Sequence, residues 1–264
     1  MTPDRLYKYQ PLTTQVLTNL RTRTLWFSSP SAFNDPFDCA LQVAETDLTS
    51  ADMERAFRYL HAEGAISPER EAALTFEGKP NSSFEAMVRR MLARSFEKQR
   101  REQTATIGVA CLTAKHDDLL MWGHYADGHR GICLEFATPG EPFSRASKVQ
   151  YRSDVPRINP MDILEDKDDV DLFGALLLTK HNSWSYEQEW RLVHEKAGQR
   201  YSFDHRLLTG VYLGASMPRD HKELVAGILL GSPTTLYEMV RGDNSFPVSA
   251  RSVQYTPPPY GTAT

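Results

Sequence analysis

Two apolar runs of strand length, Ile107–Thr113 and Gly131–Phe136, limit what this chain can fold into more than any other feature. A stretch that stays hydrophobic at successive positions suits a strand covered on both faces, because neighbouring side chains point to opposite sides of the pleat. The two runs are therefore expected as central strands of one sheet. The chain opens as strand, helix, strand: Leu6–Tyr9, then Thr13–Leu20 with Val16, Leu17 and Leu20 at helical spacing behind a capping Thr13, then Thr24–Ser28 closed by Ser29-Pro30. Later segments continue the mixture. Val149–Arg152, Glu189–His194, Gly210–Leu213 and Val248–Tyr255 read as strands, Asp168–Lys180 and Arg219–Leu230 as helices, and the tail from Pro257 as loop.

From about Thr49 to Arg101 the period becomes helical, with Met53, Phe57 and Leu60 on one stripe and Phe84, Met87, Val88, Met91, Leu92 and Phe96 on another. Gly78-Lys79-Pro80-Asn81 interrupts it. The expectation is an α+β fold: a single mixed domain over residues 1–264, carrying a helical insertion at approximately 49–101.

Composition agrees with a globular chain, at 41% hydrophobic and 24% charged residues, and excludes disordered, collagen-like and membrane-spanning classes. The net charge of −4 is spread along the sequence. The basic stretch Arg89–Arg101 reads as a solvated helix face, with a local polyanion contact as the other reading. Cys39, Cys111 and Cys133 include no close pair, so they form neither a zinc ligand set nor a redox dithiol. The amino terminus lacks a long apolar segment, which predicts a cytoplasmic protein with no membrane partner.

Four patches mix aromatic and polar residues in a way a plain core does not require. They are Leu6-Tyr7-Lys8-Tyr9; Trp26-Phe27-Ser28-Ser29 with Phe33-Asn34-Asp35-Pro36-Phe37-Asp38; Met121-Trp122-Gly123-His124-Tyr125; and Trp184 to Arg191. Aromatic faces stack planar heterocycles, and neighbouring carboxylates, hydroxyls and imidazoles orient sugars or phosphates, so a nucleotide-like ligand suits them. Each patch also has a plain structural reading. Asn34-Asp35-Pro36 makes a tight Asx turn; His124 and Tyr125 end a helix; Lys8 is a solvated edge lysine; Glu187 and Glu189, two apart on an extended segment, share a face and pair with Arg191 or Lys180. The dinucleotide, P-loop, zinc-protease and nucleophile-elbow motifs are missing from the sequence. His116, Asp117, Asp118, His124 and His129 match no ligand spacing, so no metal is expected.

At these four patches the chain resembles a bacterial family, the domain-of-unknown-function 2971 family. The resemblance runs over roughly residues 5 to 230 and includes His129-Arg130-Gly131-Ile132-Cys133-Leu134-Glu135-Phe136 beside the motifs above. More distantly, the layout is similar to the ADP-ribosyltransferase fold, with its split sheet: a first strand with a polar residue, a helix, a second strand ending in aromatic and serine residues, and a late strand introduced by Glu-x-Glu. It departs in carrying Lys8 where those enzymes usually have arginine or histidine, and in its long helical insertion.

That resemblance implies an NAD-dependent ADP-ribosyltransferase-like enzyme, with NAD as substrate and a protein or nucleic acid as acceptor, in bacterial defence or conflict. It implies a catalytic set of Glu189, Glu187, Tyr125 and His124. Lys8, Tyr9, Trp26, Ser28, Asn34 and Asp35 would hold the nucleotide. The alternative is a non-enzymatic nucleotide-sensing or partner-binding module that uses the same residues. A metal-dependent nuclease is a third reading.

Overall fold

The computed structural model describes residues 2–39, 42–43, 48–158, 161, 172–242 and 245–254. The chain falls into two compact units. The first takes residues 1–33, 107–151 and 182–264, and the second residues 34–106 and 152–181. Both helix and strand are abundant, so the mixed α/β class expected from the sequence is the class observed.

The first unit is built on an eight-stranded sheet. Its strands, together with a flanking pair, are β1 (Arg5–Gln10), β2 (Thr24–Phe27), β3 (Gly108–Thr113), β4 (Ile132–Ala137), β5 (Ser147–Lys148), β6 (Glu189–His194), β7 (Gln199–Ser202), β8 (Leu208–Leu213), β9 (Thr235–Gly242) and β10 (Ser245–Ser252). The sheet order is β10-β9-β8-β4-β1-β3-β6-β5, which places both apolar runs, β3 and β4, in the interior on either side of β1. β2 pairs with β7 outside that sheet, and a single bridge from Ser28 to Val109 ties its end to β3.

Alternation divides the sheet's side chains between two clusters. One face sends Leu6, Ala110, Leu112, Leu134, Phe136, Trp190, Leu192 and Val211 into a core closed by Val16 and Leu20 of helix Thr14–Thr22 and by Val225 and Leu229 of helix Arg219–Leu229. Thr13 caps the first of these helices, its hydroxyl accepting from the Val16 amide at 3.2 Å. The other face sends Tyr7, Tyr9, Cys133, Tyr212, Met239 and Val248 into an aromatic cluster with Met121 and Trp122. Those two residues belong to helix Leu119–Tyr125. Its cap is Asp118, whose carboxylate accepts from the Leu120 and Met121 amides at 2.9 and 3.1 Å.

The chain leaves that helix through three consecutive left-handed residues, Asp127, Gly128 and His129, and enters β4 at Gly131. There the backbones meet. A Cβ at Gly131 would lie 2.2 Å from the Gln10 carbonyl oxygen and 3.0 Å from Ala126 backbone atoms, so only glycine allows β1 and the helix end to close on this point.

The second unit has its own core. Helices Ser50–Ala62 and Ser82–Thr106 bring Met53, Ala56 and Leu60 against Phe84, Val88, Leu92 and Met161. The expected stripes are therefore real, and the expected break is a short hairpin, Thr75–Phe76 against Lys79–Pro80, turning through Glu77 and Gly78 at positive φ. The side chain of Phe96 lies outside the described residues. A third helix, Pro68–Leu74, separates the two stripes. The helical stretch expected at 49–101 lies wholly within this unit, which also takes in residues 34–48 and 152–181.

Several boundaries differ from the sequence reading. Helix Leu172–Leu177 and strand Thr179–His181 occupy the end of the segment expected as one helix, and residues 168–171 of that segment lie outside the described residues. The loop expected from Pro257 also lies outside them, as does Tyr255 at the end of the last expected strand. Strands β7 and β9 were not anticipated.

The packing at Gly131 predicts that Gly131→Ala lowers stability by about 1–3 kcal/mol or more in chemical denaturation, because the backbone must move to admit a methyl group. Gly123 lies in helix Leu119–Tyr125, and a Cβ there meets nothing within 4 Å. Gly123→Ala should be neutral or stabilising by up to about 1 kcal/mol.

Candidate functional site

β1 and β3 run side by side but share only one register pair, Tyr7 with Thr113. Beyond that pair the ladder stops, and the Lys8 ammonium supplies a donor where the strands supply none, bonding the Cys111 carbonyl oxygen at 2.9 Å. Burial lowers the Lys8 pKa from its ordinary value, opposed by the nearby Glu189 carboxylate. Lys8 is thus a partly enclosed cation where the pairing of β1 with β3 stops.

Glu189 reaches the same place from β6, where it pairs with Thr113, while Arg191 pairs with Cys111. Two residues apart on a strand, the glutamate and arginine side chains share one face. The Arg191 guanidinium grips both carboxylate oxygens, Nε to Oε1 at 2.7 Å and an Nη to Oε2 at 3.0 Å. Arg191 is completely buried and Glu189 is 3% exposed. The Phe33 ring lies 5.3 Å from the guanidinium carbon, and the Glu189 amide donates to the Tyr151 hydroxyl at 2.8 Å. Burial first, and then the Glu189 charge, push the Cys111 thiol well above its usual range, so it is a neutral thiol.

Glu187 does not sit on an extended lead-in. It ends a 3₁₀ segment, Asn182–Glu187, and Gln188 follows with φ of 43° before β6 begins at Glu189. This left-handed residue redirects the chain, as at many helix ends. Glu187 is buried and accepts a 2.6 Å hydrogen bond from the Tyr125 hydroxyl.

The residues singled out from sequence therefore fall into separate groups. Lys8 and Glu189 come together where the pairing of β1 with β3 stops. Tyr125 and Glu187 form a bonded pair, and exposed His124 lies 6.4 Å from the Tyr186 ring. Tyr9 turns into the aromatic cluster, edge-on to Trp122 at 5.1 Å. Its hydroxyl is buried and, among the described residues, makes no hydrogen bond of normal geometry, although it faces the Asp118 backbone. Trp26 is half-buried on β2, and Ser28 joins β3 through backbone bonds to Val109 of 3.0 and 2.8 Å. Asn34 and Asp35 belong to the second unit, where Asp35 accepts the Phe37 amide at 2.9 Å as an Asx turn does.

Three charged or polar centres were not selected in advance. Arg191 and Cys111 complete the Glu189 cluster. Glu135 on β4 is the third, 3% exposed yet accepting from Arg5, from the Thr209 hydroxyl at 2.6 Å and from the Tyr212 hydroxyl at 2.6 Å. A lone charge inside an otherwise apolar strand was the available signal for Glu135, because such a charge must find partners in the fold. Burial would raise the Glu135 carboxyl, but the Thr209 and Tyr212 hydrogen bonds and the Arg5 charge bring it below its usual value. The adjoining Tyr7 phenol is pushed up to about 12 by burial and by the Glu135 charge. His116 lies tilted against Tyr7 and Tyr212, and Tyr212 stacks on Tyr237 at 4.6 Å. Gly210 makes room, since a Cβ there would come within 3.1 Å of Tyr237 and 3.3 Å of the Glu135 carboxylate.

Among the described residues no group of three or more His, Cys, Asp or Glu side chains is arranged to hold a metal ion. No described helix is long and apolar enough to cross a membrane.

Glu135 makes stability depend on pH with a definite sign. Its folded pKa lies below the 4.5 of an unperturbed glutamate, so its contribution is present above pH about 4.5 and is lost as pH falls through the folded value. The stability difference between wild type and Glu135→Gln should therefore shrink on acidification below that pH in urea melts. Tyr212→Phe, which removes one donor, should cost about 1 kcal/mol at neutral pH.

No curated protein and no solved structure matches the chain. Residues 121–192 match the model of a family described as protein of unknown function (DUF2971). That segment holds the Met121–Tyr125 helix motif, β4 with Glu135, and the Glu187–Arg191 motif, and over it the chain is similar to this family.

Proposed function

We propose that this chain is an ADP-ribosyltransferase-like enzyme that consumes NAD and passes ADP-ribose to a protein or nucleic-acid acceptor, in a setting of bacterial defence or conflict. The observation that carries the reading is the point where pairing between β1 and β3 stops, at which Lys8 from the first strand and Glu189 from a late strand meet. A polar residue on the first strand and a glutamate on a late one are what the sequence resemblance implies, here within one continuous eight-stranded sheet.

The chemistry suits these groups. The bond between ribose C1′ and the nicotinamide nitrogen breaks with both electrons going to the nitrogen, so neutral nicotinamide leaves and positive charge develops on the sugar. The Glu189 carboxylate stabilises that charge in the transition state more than in the ground state. A lone pair on the acceptor then forms the new bond to C1′, and the acceptor's proton is released to water. Lys8 faces a phosphate or ribose oxygen of the nucleotide. Tyr125 and Glu187, held together by their hydrogen bond, orient the acceptor, with His124 beside them at the exposed helix end. Trp26 and Ser28 lie on the nucleotide side of the same reading.

A second reading has its own support. Both Glu189 oxygens are already bonded to Arg191, which favours a nucleotide-sensing or partner-binding module in which the pair maintains the shape of the site without chemistry.

Turnover separates the two. Purified protein incubated with NAD should release nicotinamide, measured by chromatography, and Glu189→Gln should lower the rate at least about 100-fold. The variant breaks a buried ion pair and is expected to lose about 3–5 kcal/mol of stability, so rates are compared below both melting temperatures. A thermal shift with NAD but no product supports the binding module. Equal rates in wild type and Glu189→Gln, or no NAD binding by calorimetry, removes the enzymatic reading.

A further inference from the structure

Arg191 holds Glu189 more firmly than an ordinary strand pair requires. Its guanidinium is completely buried, it bonds both carboxylate oxygens, and it lies under the Phe33 ring. The carboxylate is held from its backbone as well, through the Glu189 amide bond to Tyr151 and the left-handed turn at Gln188 just before it. A glutamate side chain has three rotatable bonds, and a two-point bond to a rigid planar fork removes most of that freedom.

We infer that Arg191 is a positioning residue for Glu189: it fixes the carboxylate in one orientation beside Lys8, where the pairing of β1 with β3 stops. This inference rests on the enzymatic reading of the Glu189 cluster. Arg191 then acts on the reaction only through Glu189. Lysine cannot replace it, because an ammonium is a point donor that does not reproduce the fork. Phe33 shares in the role by limiting how the guanidinium can swing.

The test compares nicotinamide release from NAD by wild type, Arg191→Lys, Glu189→Gln and the double variant. In Arg191→Lys, kcat should fall on the order of 100-fold, as expected when a reacting group is misplaced by about 1 Å, while KM stays within about threefold. Adding Arg191→Lys to Glu189→Gln should bring no further loss, since the residue has no other route to the reaction. Phe33→Leu, which leaves the buried pair intact, should lower kcat severalfold with KM unchanged, and it carries the test if Arg191→Lys does not fold. Wild-type kcat in Arg191→Lys, or in Phe33→Leu where that variant carries the test, overturns the positioning role and leaves the enzymatic reading standing. So does an equal loss from Arg191→Lys in the wild-type and Glu189→Gln backgrounds. A wild-type protein that neither binds nor turns over NAD overturns both.

Discussion

Charge buried on a sheet face must be paired within the fold, and that requirement organises the first unit. One face of the sheet is apolar and is closed by two helices. The other carries Glu135, Glu189 and Arg191, each almost or fully withdrawn from solvent. Taking a carboxylate or guanidinium out of water costs several kcal/mol unless partners replace the lost hydration. The strands, the loops at their ends and the register between them are arranged so that the partners arrive. Arg5 from β1 and Thr209 and Tyr212 from β8 converge on Glu135. Arg191 meets Glu189 from two residues along the same strand.

The Lys8 ammonium follows the same logic at a place where pairing between strands ends. With only Tyr7 and Thr113 in register, β1 and β3 have few ladder bonds to share, and a side chain serves the Cys111 carbonyl instead. A sheet interrupted this way has polar backbone and charged side chains at one point, which is uncommon in a core and useful in a binding site. Its neighbours are rigid. Trp122 is fully buried and anchored through its indole N–H to the His116 carbonyl at 2.8 Å, and Gly131 and Gly214 permit backbones to cross at distances that no other residue tolerates. A site on such a frame varies little in geometry, which is what orientation-dependent chemistry needs.

The aromatic cluster behind this frame serves packing and electrostatics together. Tyr7 and Tyr212 pack against His116, and Tyr212 stacks on Tyr237, while the Tyr7 and Tyr212 hydroxyl ends face Glu135, so each of these two rings buries apolar surface and also helps keep the carboxylate charged. Tyr9, on the same strand as Tyr7, contributes packing alone, since its hydroxyl finds no partner of normal geometry among the described residues.

Much of the frame was legible in the sequence because it depends on local rules. The apolar runs of β3 and β4, the Thr13 cap, the helical stripes around Met53 and Phe84 and the Asx turn at Asp35 each follow from residue type and spacing over a few positions. β9 was not legible, because Thr235–Gly242 mixes polar and apolar residues without a clean period and is a strand only by virtue of its neighbours β8 and β10. The turn at Gln188 was missed for a related reason: glutamine does not announce a positive φ, and the 3₁₀ segment before it is stabilised by surroundings rather than by propensity. Sequence alone determined which segments are apolar, periodic or capped, since those properties reside in neighbouring residues. Only tertiary structure decided that Lys8 would serve Cys111, that both Glu189 oxygens would be held by Arg191 and that three donors would converge on Glu135. The choice of partner for a buried charge depends on which strands lie side by side, and that is set by the packing of the whole sheet.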